Sequence, residues 1–245
     1  LKRVLPLIFI LLFPLSAMAA SEASDPDPWE PFNRSVFSLN EWLDTYIAKP
    51  VAEGYRYVMP SVADQGVTNF FRNLGELENT VNNLLQLKFE GAGVSLGRFA
   101  LNSTVGWFGL VDVATHAGIY ERDEDFGQTL GYWGVPNGPY LMLPVFGPST
   151  LRDTAGRVGD WYTPGPLDFE PMSEEIHPDT RLGMTGLNAV DKRADLLAAE
   201  RVVFGDDKYV FLRDAYLQTR EFKVNDGAVT DPFSDSIDDF EDLPE

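Results

Sequence analysis

Apolar positions recur at helical spacing along most of the chain. From Asn33, the residues Val36, Phe37, Leu39, Trp42, Leu43, Tyr46 and Ile47 fall mostly on one face, which predicts an amphipathic helix. Pro50 fits the first turn of a second, short helix through Val58, and Pro60 ends it. Ser61 with Asp64 reads as an N-cap pair opening a third helix through Phe70 and Phe71. Glu76 to Leu87 predicts a fourth, with Leu77, Val81, Leu84 and Leu85 as its stripe; Leu84 to Phe89 also reads as a short strand. Another helix begins at Ser149-Thr150, with Asp153 at the capping-box position. Arg181 to Glu200 and Asp206 to Glu221 complete the set. No repeat and no regular strand–helix alternation is visible, so the predicted class is all-α.

The two ends differ from this middle. Lys2 and Arg3 precede an apolar run from Val4 to Leu15, and Ala17-Met18-Ala19 follows as an A-x-A site. That pattern predicts a signal peptide over 1–19, cleaved before Ala20 and implying export. Residues 20–28 form a polar leader kept extended by Pro26 and Pro28, and 29–223 read as a single helical domain. Residues 224–245 hold eight acids and no base, which predicts a disordered tail or an acidic docking arm for a basic partner.

Charge and composition narrow the chemistry. The net charge of −19 repels phosphate backbones, so nucleic acid is excluded as a partner. The chain has no cysteine and two histidines, which removes thiol chemistry and leaves little for metal or general-base work. Phe126 to Leu151 is 26 residues without a charged side chain, where about six would be expected from the average composition. Its five glycines and four prolines exclude a single membrane-spanning helix. Phe99 to Val111 is a second uncharged run. These stretches are either a buried loop core or a lipid-facing surface, since Trp and Tyr favour the headgroup level of a bilayer. The aromatic candidates for such an interface are Trp107, Phe108, Tyr132, Trp133, Tyr140 and Phe146.

Gly93-Val94-Ser95-Leu96-Gly97 matches G-x-S-x-G, the nucleophile elbow of lipases and esterases. Asp112 with His116 or His177 would have to complete a triad, but Asp112 and His116 lie four residues apart and no alternating strands surround the motif. The competing reading makes Gly93-x3-Gly97 a small-residue surface where a second helix approaches closely. Two acidic clusters, Glu121/Asp123/Glu124/Asp125 and Glu174/Glu175/His177/Asp179, lack the spacing of known metal loops and read as solvated turns. No metal and no cofactor are expected. Arg34, Arg98 and the pair Arg152-Asp153 read either as ion pairs that hold helices together or as donors for a phosphate.

Several blocks in order then resemble the MlaA/VacJ family of outer-membrane proteins. They are Asp27-Pro28-Trp29-Glu30-Pro31-Phe32-Asn33-Arg34; Arg98-Phe99-x2-Asn102-x3-Gly106-x2-Gly109-x2-Asp112-Val113-Ala114; Phe126-Gly127-x-Thr129-Leu130-Gly131-x-Trp133-Gly134-Val135; Gly138-Pro139-Tyr140-x2-Leu143-Pro144; Leu151-Arg152-Asp153; and Arg213-Asp214-Ala215-Tyr216-Leu217-Gln218. The resemblance spans about Asp25 to Lys223. It implies a ring- or disc-like helical bundle, with irregular Gly/Pro/aromatic loops around a central amphipathic channel, set in the inner leaflet of the outer membrane. It also implies removal of mislocalised phospholipid from the outer leaflet, hand-over to a periplasmic lipid-carrier protein, association with a trimeric porin, and no covalent chemistry. Position in these blocks nominates Asn33, Arg34, Arg98, Asn102, Arg152 and Asp153 as the polar track for a headgroup. Members of the family are commonly lipoproteins; here Ala19 and Ala20 stand where the acylated cysteine would be. The expectation is therefore an exported protein on the periplasmic side of the outer membrane that is not a lipoprotein, with a soluble periplasmic protein as the alternative.

Overall fold

A computed structural model of the chain describes residues 25–162, 178–199 and 207–228. The predicted signal peptide, most of the acidic tail and the Glu174–His177 turn lie outside them. Within them the protein is helical apart from one two-stranded hairpin.

The first two predicted helices form one rod. Helix α1 (Glu30–Leu43) runs through a π-helical turn (Asp44–Ala48) directly into α2 (Lys49–Val58). Pro50 is the cause: it offers no N–H and crowds the preceding turn, and the wider π turn, closed by Lys49 N–H on the Asp44 carbonyl, absorbs the mismatch without breaking the rod. The third and fourth predicted helices are also one, α3 (Ser61–Leu85), which passes through Gly75. Leu84 to Phe89 is no strand; it is the end of α3 and a turn, with Leu87 at φ 60°, into α4 (Phe89–Thr104). A short α5 (Val113–His116) and α6 (Phe126–Tyr132) follow. Asp125 caps α6 by accepting the Gln128 N–H at 2.8 Å.

The uncharged stretch supplies the hairpin, β1 (Tyr140–Leu143) against β2 (Gly147–Thr150), antiparallel with Tyr140 opposite Thr150. Helix α7 (Leu151–Tyr162) starts where the capping pattern places it: Thr150 Oγ1 accepts the Asp153 N–H at 3.1 Å. Helices α8 (Pro178–Ala199) and α9 (Lys208–Val224) match the two late predicted helices, and Asp207 caps α9 through the amides of Tyr209 and Val210.

Burial runs opposite to that of a water-soluble bundle. The buried face of α3 carries Asp64, Asn73, Glu76, Asn79, Asn82 and Asn83, while Val62 and Leu84 are exposed. The stripe read from sequence, Leu77, Val81, Leu84 and Leu85, is therefore not the inward face. On α4 the buried residues are Ala92, Ser95, Arg98 and Asn102. Across the described residues buried polar side chains outnumber buried apolar ones, and Phe32, Trp42, Tyr46, Ile47, Tyr57 and Phe89 lie exposed. A small apolar cluster of Val36, Tyr140, Met142 and Tyr209 lies where α1 and α9 meet the hairpin, and Phe126 and Leu130 of α6 are buried apart from it. No helix among the described residues is long and apolar enough to cross a membrane.

The G-x-S-x-G segment lies in the middle of α4, with no strand-to-helix turn, and the buried Ser95 hydroxyl has no hydrogen-bond partner. The close-packing alternative moves by two residues. A Cβ at Gly93 or Gly97 would meet nothing within 4 Å, so neither glycine seats a neighbouring helix. Gly91 does: a Cβ there would lie 2.0 Å from Asn83 Oδ1 on α3.

Candidate functional site

The polar interior is built from bonded networks. On α4, Arg98 is almost wholly buried, and its guanidinium donates to Glu76 of α3, to Thr115 Oγ1 at 3.0 Å, to the Ile119 carbonyl and to Asp112 at 3.2 Å. Asn102 donates to Asp112 at 3.0 Å and accepts the Ala114 N–H at 2.9 Å. Burial pulls the Asp112 carboxyl upward, but the hydrogen bonds from Thr115 and Asn102 and the Arg98 charge outweigh it and hold the group down at about 2. Asn33 is buried, donates to Asp27 at 2.7 Å and to the Tyr140 carbonyl at 3.1 Å, and accepts the Met142 N–H at 2.9 Å, so it fastens α1 to β1. Arg34 pairs with Glu30 at 2.6 Å and Asp207 at 2.7 Å and stacks 4.4 Å over the Tyr209 ring. Arg152 donates twice to Asp153, each at 3.1 Å. Asp153 in turn receives Tyr216 Oη at 2.7 Å and Arg220, whose other side holds Asp125.

All six polar residues nominated from sequence thus have protein partners for their charges and amides. Arg220, which joins α6, α7 and α9, was not among them; its signal was only a lone basic residue on a helix facing two acids far away in sequence.

Open space lies elsewhere. A cavity of about 430 Å³ is lined by Phe71 and Gly75 of α3, Glu121 to Asp125 in part, and Asp191 and Asp195 of α8. A second, of about 600 Å³, is lined by Leu143 and Phe146 of the hairpin and by Thr154, Arg157, Val158 and Asp160 of α7. Both include Glu78, Asp125 and Lys192, so they adjoin at those side chains. A third cavity, of about 650 Å³, adjoins the first through Glu121, Asp123 and Glu124 and reaches Lys88, Phe89 and Phe222. Carboxylates dominate the lining of the first cavity, and Leu143, Phe146 and Val158 join charged side chains in the second.

Carboxylates crowd the junction. Asp160 Oδ1 accepts the Phe126 N–H at 3.0 Å. Burial, reinforced by the neighbouring charges of Glu78 and Asp125, pushes the Asp160 carboxyl up to about 7. Burial also raises Glu78, against the opposing pull of Lys192. Among the described residues no three His, Cys, Asp or Glu side chains converge as metal ligands.

Of the aromatic interface candidates, Trp107 and Phe108 are the most exposed, at 76% and 80%, and form a loop tip after α4. Both sit at positive φ, 55° and 58°, a conformation that costs a bulky residue energy. Tyr132, Trp133 and Phe146 are exposed as well. Tyr140 is fully buried, edge-on to Tyr209 and Tyr216, because the inward alternation of β1 turns it into the small apolar cluster.

The comparisons with known proteins agree with this architecture. The family model described as "MlaA lipoprotein" matches residues 25–223. The Escherichia coli (strain K12) protein named "Intermembrane phospholipid transport system lipoprotein MlaA" is 35% identical over 222 residues, 89% of this chain and 86% of its own. The Haemophilus influenzae protein of the same name is 32% identical over 217 residues, 87% of this chain and 85% of its own. A solved structure described as "Structural basis for maintenance of bacterial outer membrane lipid asymmetry" superposes with a TM-score of 0.67 at 35% identity, covering 81% of this chain and 99% of that one. These relatives are named lipoproteins, so the expectation of a protein that is not a lipoprotein finds no support among them. On the match over nearly all the described residues, the chain belongs to the MlaA lipoprotein family.

Proposed function

We propose that the protein is the outer-membrane component of a phospholipid transport system, removing mislocalised phospholipid from the outer leaflet and passing it to a periplasmic carrier, so that the membrane keeps its lipid asymmetry. The carrying observation is the inverted burial combined with the adjoining cavities. A bonded polar interior wrapped in exposed Phe32, Trp42, Tyr46 and Tyr57 is stable where the surroundings are apolar. Taken together as one passage, the adjoining cavities offer acidic groups and, beside the hairpin, Leu143, Phe146 and Val158. A phospholipid needs both.

We place the amphipathic helices in one leaflet on the periplasmic side, with Trp107, Phe108, Tyr132, Trp133 and Phe146 at the interface. A trimeric porin is the neighbour we propose for the apolar rim. Lipid moves down its affinity gradient and no bond is made or broken; Ser95, mid-helix and without a base in hydrogen-bond reach, supports no hydrolysis. The names of the relatives support this reading.

The test is complementation of a diderm host that lacks its own copy. Phospholipid accessible at the cell surface, scored by an added phospholipase, should fall to the normal level with the wild-type chain and with Ser95→Ala. Persistence of surface phospholipid with the expressed wild-type chain overturns the proposal.

A further inference from the structure

This chain has twice as many acids as bases, 38 against 19, so carboxylates compete for every cation. Arg34, Arg56, Arg72, Lys88, Arg98, Arg213, Arg220 and Lys223 each hold one within 4 Å. Among the described residues Arg157 and Lys192 have no carboxylate within that distance, and both line the cavity beside the hairpin. Arg157 has a 3.4 Å bond to the Pro148 carbonyl and lies 5.9 Å from the Phe146 ring centre. Lys192 faces Glu78 only at longer range. A guanidinium and an ammonium left unpaired beside an apolar wall are suited to a phosphodiester.

Groups of the opposite sign line the same cavity. Glu78, Asp125 and Asp160 line the same cavity, and Asp191 and Asp195 line the one that adjoins it. Leu143, Phe146 and Val158, the two cations and these three carboxylates thus face one shared space.

We infer that the passage selects phospholipids whose headgroup carries a primary ammonium beyond the phosphate, and disfavours net-anionic headgroups. With the acyl chains against Leu143, Phe146 and Val158, the phosphate meets Arg157 and Lys192, and the ammonium reaches Glu78 and Asp160. There it relieves the carboxylate crowding and supplies hydrogen-bond donors. A glycerol headgroup at the same depth leaves the lipid with a net negative charge facing a wall of like charge. The inference rests on the transport reading and deepens it.

The full chain, reconstituted in nanodiscs of equimolar phosphatidylethanolamine and phosphatidylglycerol, carries a photo-crosslinker in place of Phe146, and the captured lipid is identified by mass spectrometry. The expected ratio favours phosphatidylethanolamine roughly five-fold, the effect of one additional charge pair in water-accessible surroundings. Glu78→Gln with Asp160→Asn should bring the ratio towards one, and Arg157→Gln with Lys192→Gln should lower total capture of both lipids. Equal capture, or excess phosphatidylglycerol, in the unsubstituted protein overturns the inference and leaves transport standing. Absence of any captured phospholipid overturns both.

Discussion

Arg220 on α9 meets Asp153 on α7 through two hydrogen bonds, Nε to Oδ2 at 3.0 Å and Nη2 to Oδ1 at 2.9 Å, almost closed to solvent. The same carboxylate takes Arg152 and Tyr216, so one side chain ties α7 to α9, and Arg152 reaches on to the Val135 carbonyl in the loop before β1. Asp153→Ala leaves two buried guanidiniums short of their acceptor. The expected loss is about 3–5 kcal/mol of stability, typical of breaking a buried pair from one side. Chemical unfolding in detergent checks it, and a change under about 1 kcal/mol would show that Asp125 alone suffices for Arg220.

The Asp160 carboxyl gives a pH signature. Its folded-state value near 7 lies above that of an unfolded aspartate, so the folded state binds the extra proton. Stability from this group is therefore present at low pH and declines as pH rises towards and through 7. Asp160→Asn should flatten the slope of melting temperature against pH between about 5 and 8 and raise the melting point at pH 8. Below pH 4 the wild type and the variant should fall together, as Asp112, held at about 2, and the lowered Asp125 and Asp153 gain protons.

Glycines of α4 separate close packing from free space. Gly91→Ala puts a methyl against Asn83, which must leave its 2.8 Å bond to the Asn79 carbonyl; a cost of about 1–3 kcal/mol is expected. Gly93→Ala meets nothing and should stabilise the helix by up to about 1 kcal/mol. Thermal melts of the two variants side by side decide it.

Trp107 and Phe108 hold a left-handed backbone while facing outward. Trp107→Gly with Phe108→Gly should raise stability by about 1 kcal/mol per position, through relief of that conformation. The same change should weaken association with phospholipid vesicles in a flotation assay. Opposite signs for the two measurements are the expected result; unchanged flotation would remove this loop from the membrane contact.

Local signals were legible. Thr150 before Asp153 placed the start of α7, and the long helical stretches placed α8 and α9 within a few residues. The rod through Pro50 and the run of α3 through Gly75 were not, because a π turn and tertiary contacts override breakers that cost an isolated helix only a few kcal/mol. The inward faces were misassigned for a deeper reason: reading the apolar stripe as the core assumes that water is outside. Asn73, Glu76, Asn79, Asn82 and Gln86, three or four apart along α3, carried the correct face in plain view. Arg157 and Lys192 gave no sequence signal, since what distinguishes them is that no described carboxylate comes within ion-pair distance, a property of the folded arrangement.

The polar interior also sets which substitutions the protein tolerates. Apolar packing accepts exchanges of similar volume, because dispersion contacts have little direction. Asn82, which receives the Thr129 hydroxyl at 2.9 Å and donates to the Glu78 carbonyl at 3.2 Å, has no substitute of equal shape that keeps both bonds. The usual map of mutational sensitivity is therefore turned around. The interior demands particular atoms, whereas exposed apolar positions such as Phe32 and Tyr57 require only that their character be kept.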